Sequence, residues 1–290
     1  MTPADLHAAV AHVREHGTAA ENARLHYLLT GVARFSESQS AAESSESQSA
    51  AESSESQSVA QFSESQSAQR SDGGWSPPWA PEYSSVDATC FQLTLADQLG
   101  FDRRSPLFID ALRFLAERQR ADGYWEEEEE MAASAPPWAQ PGDTAARLYL
   151  TANCGFWVAV TGLVPTAARD AAAYLSYHLH ENGELPSFLQ AHWLSAALWQ
   201  RIGLVDEANK TLGYLAARVG DLSAGNLAWM IIALREGGVP AANAAIGGAL
   251  DRLLALRLPE GYWPSDEGID NSVHVTIEAL KALQLCGRLP

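Results

Sequence analysis

Apolar residues recur at spacings of three and four along most of the chain, which is the pattern of helices with one buried face. Asp87 to Leu99 carries its apolar residues at this spacing, and Asp143 to Thr161 is apolar nearly all round, as expected of a helix buried on several sides. No stretch alternates with period two over a useful length, so no strand is predicted. The pattern predicts an all-α protein with helices over 4–16, 18–30, 87–99, 106–120, 143–161, 166–180, 186–202, 206–219, 222–236, 240–256 and 270–286.

Residues 34–69 differ from the rest of the chain. The pentapeptide Ser-Glu-Ser-Gln-Ser repeats there with a strict period of nine. Nine residues advance a helix by two and a half turns, so successive copies would face opposite sides and no apolar stripe could form. Such a segment buries too little surface to offset its ordering entropy. We expect a disordered, low-complexity insertion between 1–33 and 70–290, which together would form one domain.

A turn phrase recurs three times at a long period. It reads Gln-Arg-Ser-Asp-Gly-Gly-Trp at 69–75, Gln-Arg-Ala-Asp-Gly-Tyr-Trp at 119–125 and Arg-Leu-Pro-Glu-Gly-Tyr-Trp at 257–263. A repeat of this length is typical of stacked helical hairpins. The number of helices indicates five or six hairpins, and we expect them to close into a barrel with a central cavity at the N-terminal ends of the inner helices.

Composition and charge exclude several classes of binding partner. The chain has 290 residues, 47% of them hydrophobic, and a formal net charge of −17. This charge argues against nucleic acid and against an anionic membrane surface as partners. The run Glu126 to Glu130 is expected to be a solvated turn rather than a metal site, since like charges repel. Three cysteines without CxxC spacing, no visible signal peptide and no transmembrane segment favour a cytoplasmic protein.

The turn phrase, with Gln before Asp-Gly-aromatic-Trp, resembles the repeat of the squalene/oxidosqualene cyclases and of the protein prenyltransferase β subunits. That resemblance covers about 70–290, and we expect it to include 1–33. It implies the fold of those proteins, an α/α toroid, and a hydrophobic ligand of isoprenoid type. Copies without the Trp stand at 181–185 and 219–222.

In the cyclases an Asp-x-Asp-Asp-Thr-Ala motif protonates an alkene through its middle Asp. This chain has Gln140-Pro-Gly142-Asp143-Thr-Ala145, so the end of the motif matches, while Gly142 stands at the position of the acid. The motif is therefore incomplete in this chain. The resemblance still indicates Asp143 as the candidate acid or metal ligand.

In the prenyltransferases, Asp-x-Cys and a later His hold zinc. The resemblance indicates Asp87, Cys90 and His274 as a possible zinc site, since the first and last hairpins of a closed ring are neighbours. Here one residue too many separates Asp87 from Cys90. The alternative is that Cys90 is a core residue and His274 is hydrogen-bonded near a helix start.

Asp87, Asp143 and Asp270 each begin a predicted helix. They could be N-caps, or they could together act as catalytic groups or hold Mg²⁺ against a diphosphate. Pro-Pro-Trp-Ala precedes two of them, at Trp79 and Trp138. Aromatic faces stabilise carbocations, so these two and five further side chains are candidates to line the cavity, unless they are core residues: Phe156, Trp157, His192, Trp193 and Trp229.

Two functions follow as expectations. The first is an isoprenoid-handling protein similar to terpene cyclases, with an aromatic cavity rimmed by Asp87, Asp143, Glu267, Asp270 and His274. In that case Trp79, Trp138 and Trp157 would stabilise cations. The alternative is a non-catalytic toroid that serves as a ligand-binding or protein-interaction scaffold. Any cofactor would be a divalent metal, Mg²⁺ or Zn²⁺, and the sequence leaves open whether there is one.

Overall fold

The computed structural model describes residues 1–33 and 69–289. These residues form eleven α-helices, and the expected all-α fold is confirmed. The helices are α1 (Pro3–His16), α2 (Ala19–Thr30), α3 (Val86–Gln98), α4 (Pro106–Arg118), α5 (Thr144–Thr161), α6 (Pro165–His178), α7 (Leu189–Ile202), α8 (Val205–Ala216), α9 (Ala224–Glu236), α10 (Ala244–Ala255) and α11 (Ser272–Leu285). Residues 34–68 lie outside the described part, so a single domain with a disordered insertion at 34–69 stays a prediction.

Local signals place the helix ends. Thr2 and Thr18 form capping boxes with Asp5 and Glu21, which satisfy free backbone N–H groups at the starts of α1 and α2. At the other end, Gly162 and Gly203 adopt left-handed backbone conformations that stop α5 and α7. The predicted ranges therefore differ from the observed ones by only a few residues.

Six helices form a closed inner ring. In order around the ring, α2, α3, α5, α7, α9 and α11 each pack against the next, and α11 packs against α2. The inner helices α5 and α7 are buried over almost all their length, whereas outer helices such as α8 bury a single stripe. This is the toroid arrangement that the repeat predicted.

In the turns before four inner helices a glycine packs against an outer helix, and in two of these turns a glutamine adds the same pair of hydrogen bonds. Gln69 Nε2 donates to the carbonyls of Gly73 and of Leu107 in α4, and Gln119 Nε2 donates to those of Gly123 and of Ala167 in α6. The glutamine thus ties the turn to the following outer helix. The turn glycine has a positive φ and lies directly on the backbone of that outer helix, so no side chain fits there.

The third copy of the phrase closes the ring through the N-terminal helix. Gly261 packs against Ala8 of α1, Tyr262 stacks on His12 at a centroid distance of 4.0 Å, and Arg257 bonds Asp5 at 2.7 Å. The helix α1 therefore serves as the outer helix of the last hairpin, and the two ends of the chain meet.

A side chain of the inner helix anchors each of these turns. The backbone N–H of Trp75 donates to Thr89 Oγ1, that of Trp125 to Thr151 and that of Trp263 to Thr276. In the fourth turn, Leu185 takes the Trp position and its N–H donates to His192 Nε2 at 3.0 Å.

Candidate functional site

The carboxyl group of Asp87 lies in the first turn of α3. Trp138 Nε1 donates to Asp87 Oδ2 at 3.1 Å, and the Tyr149 hydroxyl donates to Oδ1 at 3.4 Å. Burial raises the pKa of Asp87, and these two hydrogen bonds oppose the increase. The fold thus brings together two predicted site residues, Asp87 and Trp138, with Tyr149, which the sequence did not single out.

Glu127 lies directly behind Asp87. Its Oε1 accepts hydrogen bonds from the Ser85 hydroxyl at 2.6 Å and from the Asp87 N–H at 3.0 Å, and its Oε2 accepts from the Val86 N–H. Burial raises the pKa of Glu127 to about 7. The prediction of a solvated turn at Glu126 to Glu130 is therefore wrong at Glu127, which is 2% exposed and caps α3 from a distant loop.

Nothing in the local sequence distinguishes Glu127 from its four acidic neighbours. A run of like charges predicts solvation because the charges repel, and only the packing of the loop on α3 selects one of them for burial. Tyr149 likewise does not stand out in the sequence, because it lies in a helix that is apolar nearly all round.

The three predicted zinc ligands make other contacts. Cys90 Sγ lies 3.7 Å from Cys154 Sγ, both thiols are buried, and burial raises the pKa of each. His274 Nδ1 lies 3.0 Å from Arg24 Nη1, so it accepts the arginine's hydrogen bond. Within 1–33 and 69–289, no group of three His, Cys, Asp or Glu side chains is placed to hold a metal ion.

The other predicted acids lie at the surface. Asp143 is the exposed N-cap of α5, where its Oδ1 accepts from the Ala146 N–H at 2.8 Å. Glu267 and Asp270 are exposed before α11. Beside Asp143, the Gly142 N–H points to Glu126, which pairs with Arg147 at 2.9 Å. Asp143 thus lies at the surface beside an ion pair, whereas Asp87 is half-buried.

The aromatic side chains that were predicted to line a cavity lie in several separate parts of the structure. Phe156 and Trp157 pack on each other, and Trp157 also packs on Phe108 of the outer layer. Trp193 and Trp229 form an edge-to-face pair at 5.4 Å. Trp79 is half-buried, and Trp138 is 44% exposed.

His192 is buried in α7. It stacks on Tyr214, and its Nδ1 lies 3.2 Å from the Phe188 carbonyl. Because a carbonyl can only accept, Nδ1 carries the proton, and Nε2 is free to accept from Leu185. Burial lowers the pKa of His192, which favours the neutral form of the ring. These contacts are those of a structural anchor.

The described residues form two partly open cavities of modest size. One of about 160 Å³ lies between α2, α3 and α11, and one of about 300 Å³ lies at the C-terminal ends of α5 and α7, where Arg169 and Arg201 face Val158 and Ile202. Neither is lined by the tryptophans that were predicted to surround a ligand.

No protein-family profile and no curated protein matches the sequence. Solved structures do match. A variant of the type II terpene cyclase MstE from Scytonema, without ligand, gives a TM-score of 0.60 at 16% identity over 98% of this chain and 97% of that chain. A second variant, in complex with its substrate geranylgeranyl dihydroxybenzoate, gives 0.57 at 16% identity over 93% and 87%. A protein from Actinoplanes gives 0.58 at 18% identity over 93% and 90%.

These likenesses show that the chain has a terpene-cyclase-like helical fold. At such low identity they show the fold alone. None of the helices in the described part of the chain is long and apolar enough to cross a bilayer.

Proposed function

We propose that this chain is an isoprenoid-binding enzyme of the terpene-cyclase kind, in which Asp87 donates a proton to a carbon–carbon double bond. The observation that carries the proposal is the Asp87 carboxyl group, desolvated and hydrogen-bonded by Trp138 and Tyr149. The fold supports it, because solved structures with this fold include a type II terpene cyclase bound to geranylgeranyl dihydroxybenzoate.

Asp87 suits the role of proton donor better than Asp143. Burial raises the pKa of Asp87 and so favours its protonated form relative to an ordinary aspartate, as a proton donor requires. The N–H of Trp138 and the O–H of Tyr149 are already directed at the oxygens where negative charge develops when the proton leaves, so they would stabilise the carboxylate that forms. Asp143 is exposed, and its Oδ1 is engaged by the backbone of its own helix.

The reaction would be an isomerisation. The O–H bond of Asp87 breaks and a C–H bond forms at one alkene carbon, which leaves a cation at the other. The π electrons of a second double bond then attack that cation and close a ring. The last cation loses a proton to water, and Asp87 regains one from solvent, so no oxidant or reductant is consumed. The ring faces of Trp138, Tyr149 and Phe188 would stabilise the cation by cation–π attraction.

One observation favours the alternative of a non-catalytic scaffold. Arg24, Gln98 and Glu278 form a buried hydrogen-bonded group between α2, α3 and α11. The cavities of about 160 and 300 Å³ lie at or below the lower end of the usual range for ligand sites, which is roughly 300–1,000 Å³. A long isoprenoid would then have to open the ring in order to enter.

A substrate assay with two matched variants tests the proposal. Purified protein is incubated with squalene, geranylgeranyl diphosphate or geranylgeranyl dihydroxybenzoate, with and without Mg²⁺ or Zn²⁺, and products are identified by mass spectrometry. We expect Asp87→Asn to lower turnover by roughly 100-fold or more. Asp143→Asn keeps a good N-cap, and should retain turnover within about threefold of wild type.

The outcomes separate the hypotheses. If Asp143→Asn loses turnover and Asp87→Asn does not, Asp143 is the proton donor. Metal-dependent turnover of the diphosphate would support the predicted metal site. If the wild-type chain neither binds nor converts any of the three compounds, the scaffold function replaces the enzyme.

A further inference from the structure

The two ends of the helical ring differ in charge. The segments that lead into the inner helices contain sixteen Asp or Glu residues and four Arg residues, and they are 69–85, 119–143, 179–188, 217–223 and 256–271. The segments that follow the inner helices contain one Asp and three Arg, and they are 31–33, 99–105, 162–164, 203–204, 237–243 and 286–289. These latter segments form what we call the C-terminal end of the ring. It is weakly basic although the whole chain carries a net charge of −17.

The C-terminal end of the ring also carries most of the exposed aliphatic side chains. Seven large aliphatic side chains are exposed in the described part of the chain, and five of them lie at this end: Leu29, Val32, Leu163, Leu204 and Val205. They are 37% to 61% exposed. They stand at the ends of α2, α5 and α7, which with α3 are consecutive in the ring. Single exposed aliphatic residues are normal, but their concentration at one end indicates a binding surface.

Four exposed arginines stand at the same end without an acidic partner among the described residues. They are Arg104, Arg169, Arg201 and Arg288. By contrast, Arg103 and Lys281 at this end both pair with Asp97, at 2.7 and 2.9 Å. The four exposed guanidinium groups are therefore available to anions outside the chain.

Two of these arginines line one cavity. The cavity of about 300 Å³ at the ends of α5 and α7 is lined by Arg169 and Arg201, and by apolar side chains that include Val158 and Ile202. The negative end of a helix dipole favours a cation such as Arg201 in the last turn of α7. It does not explain Arg169, which lies near the start of α6, where the dipole favours anions. Both arginines can bind a phosphate group by charge-assisted hydrogen bonds.

We propose that the C-terminal end of the ring binds the surface of an anionic lipid bilayer. The five aliphatic side chains would enter the interfacial region, and the four arginines would contact lipid phosphates, one of them in the cavity of Arg169 and Arg201. The overall charge opposes such binding, but its source is distant. The inner helix α5 has 18 residues and is therefore about 27 Å long. The acidic end is thus about three Debye lengths from the bilayer at physiological salt, where one Debye length is about 8 Å.

A lipid surface fits this end better than a second copy of the chain. Opposite charges would bring the acidic end of one copy to the C-terminal end of another. The five aliphatic side chains would then face a surface with sixteen acidic residues, which offers them little apolar area. A bilayer provides both apolar depth and negative charge. Binding to it requires no catalytic activity of this chain, so it is tested independently of the proposed function.

Flotation with vesicles measures the binding. The full chain is mixed at about 0.15 M salt with vesicles of phosphatidylcholine alone, or of phosphatidylcholine and phosphatidylglycerol in equal parts. We expect it to partition at least tenfold more strongly to the anionic vesicles, since each arginine near such a surface strengthens binding roughly fivefold. The absence of binding to the anionic vesicles, or equal binding to both compositions, would overturn the proposal.

Variants of equal net charge locate the surface. The double variant Arg169→Gln with Arg201→Gln should weaken binding to anionic vesicles by roughly 25-fold. Arg14→Gln with Arg252→Gln makes the same charge change at exposed, unpaired arginines of the outer helices α1 and α10, and should keep binding within about threefold of wild type. Equal losses in the two double variants would show that only the overall charge acts, and would contradict the proposal.

The aliphatic side chains are tested in the same way. Leu163→Ser with Leu204→Ser should weaken binding at least threefold, because their apolar surface no longer enters the bilayer. Ile109→Ser alters an exposed aliphatic residue of α4 and should have no effect. Sedimentation without vesicles checks for a second copy. Assemblies of the wild-type chain that Arg169→Gln with Arg201→Gln disperses would show that this end binds another chain, and would replace the proposed bilayer.

Discussion

Gly261 and Ala8 lie in direct contact, although one belongs to the last turn phrase and the other to the first helix. Gly123 makes the equivalent contact with Asp170, and Gly183 with Lys210, each on the outer helix that follows along the chain. In the last hairpin α1, from the start of the chain, takes the place of that outer helix. The ring is therefore closed by the two ends of the chain.

Substitution of Gly261 should weaken this closure. A Cβ there would overlap with Ala8, and the backbone φ of 100° is strained for any other residue. We expect Gly261→Ala to lower the free energy of unfolding by about 2–4 kcal/mol in urea titrations. Gly203→Ala is the control, because Gly203 has a φ of 89° but open space around it, and should cost only about 1 kcal/mol. Equal losses in the two variants would mean that the contact with Ala8 contributes nothing.

The inner-helix anchors give a second prediction. Thr276→Val removes the acceptor of the buried Trp263 N–H and should cost about 1–3 kcal/mol. If His192 serves the same purpose for Leu185, His192→Val should cost at least as much without any ligand present. Thermal denaturation measures both. Thr94→Val is the control, since the Thr94 hydroxyl donates only to the Cys90 carbonyl within its own helix. If His192→Val loses no stability, the anchoring role is wrong, and His192 is again a candidate for ligand binding.

The sequence predicted the helices and their closure because both depend on local, repeated signals. Apolar spacing marks each helix, and every copy of the turn phrase needs the same glycine against an outer helix. The site is different, because its members come from separate segments. Asp87 was singled out as the start of a helix, but its hydrogen-bond donors are Trp138 and Tyr149, which lie 51 and 62 residues away. The burial of Glu127 likewise depends on the start of α3.

Glu127 should make stability depend on pH. Its pKa is about 7 in the folded chain, against an ordinary value of 4.5, because burial disfavours the charged form. Between pH 4.5 and 7 the unfolded chain has lost this proton while the folded chain keeps it. The contribution to the free energy of unfolding is therefore complete below about pH 4.5 and is lost as the pH rises toward 7, by about 3 kcal/mol.

Urea titrations at pH 5 and pH 8 test this directly. Glu127→Gln removes the titrating group and should flatten the decrease between the two pH values. Glu128→Gln, which alters a half-exposed neighbour paired with Arg120, should leave the decrease as in wild type. An unchanged decrease in Glu127→Gln would show that other groups cause it.

The hydrogen bond from Trp138 should control the acidity of Asp87. It stabilises the carboxylate and so opposes the effect of burial on the pKa of Asp87. Trp138→Phe keeps an aromatic ring and removes the N–H, so the pKa of Asp87 should rise further. Carbon-13 titration of the side-chain carboxyl groups measures it. Trp79→Phe makes the same change in the other Pro-Pro-Trp-Ala copy and should leave the pKa of Asp87 unaltered. If the pKa falls or stays constant in Trp138→Phe, the indole does not stabilise the Asp87 carboxylate, and the charge-stabilising role given to Trp138 in proton donation is wrong.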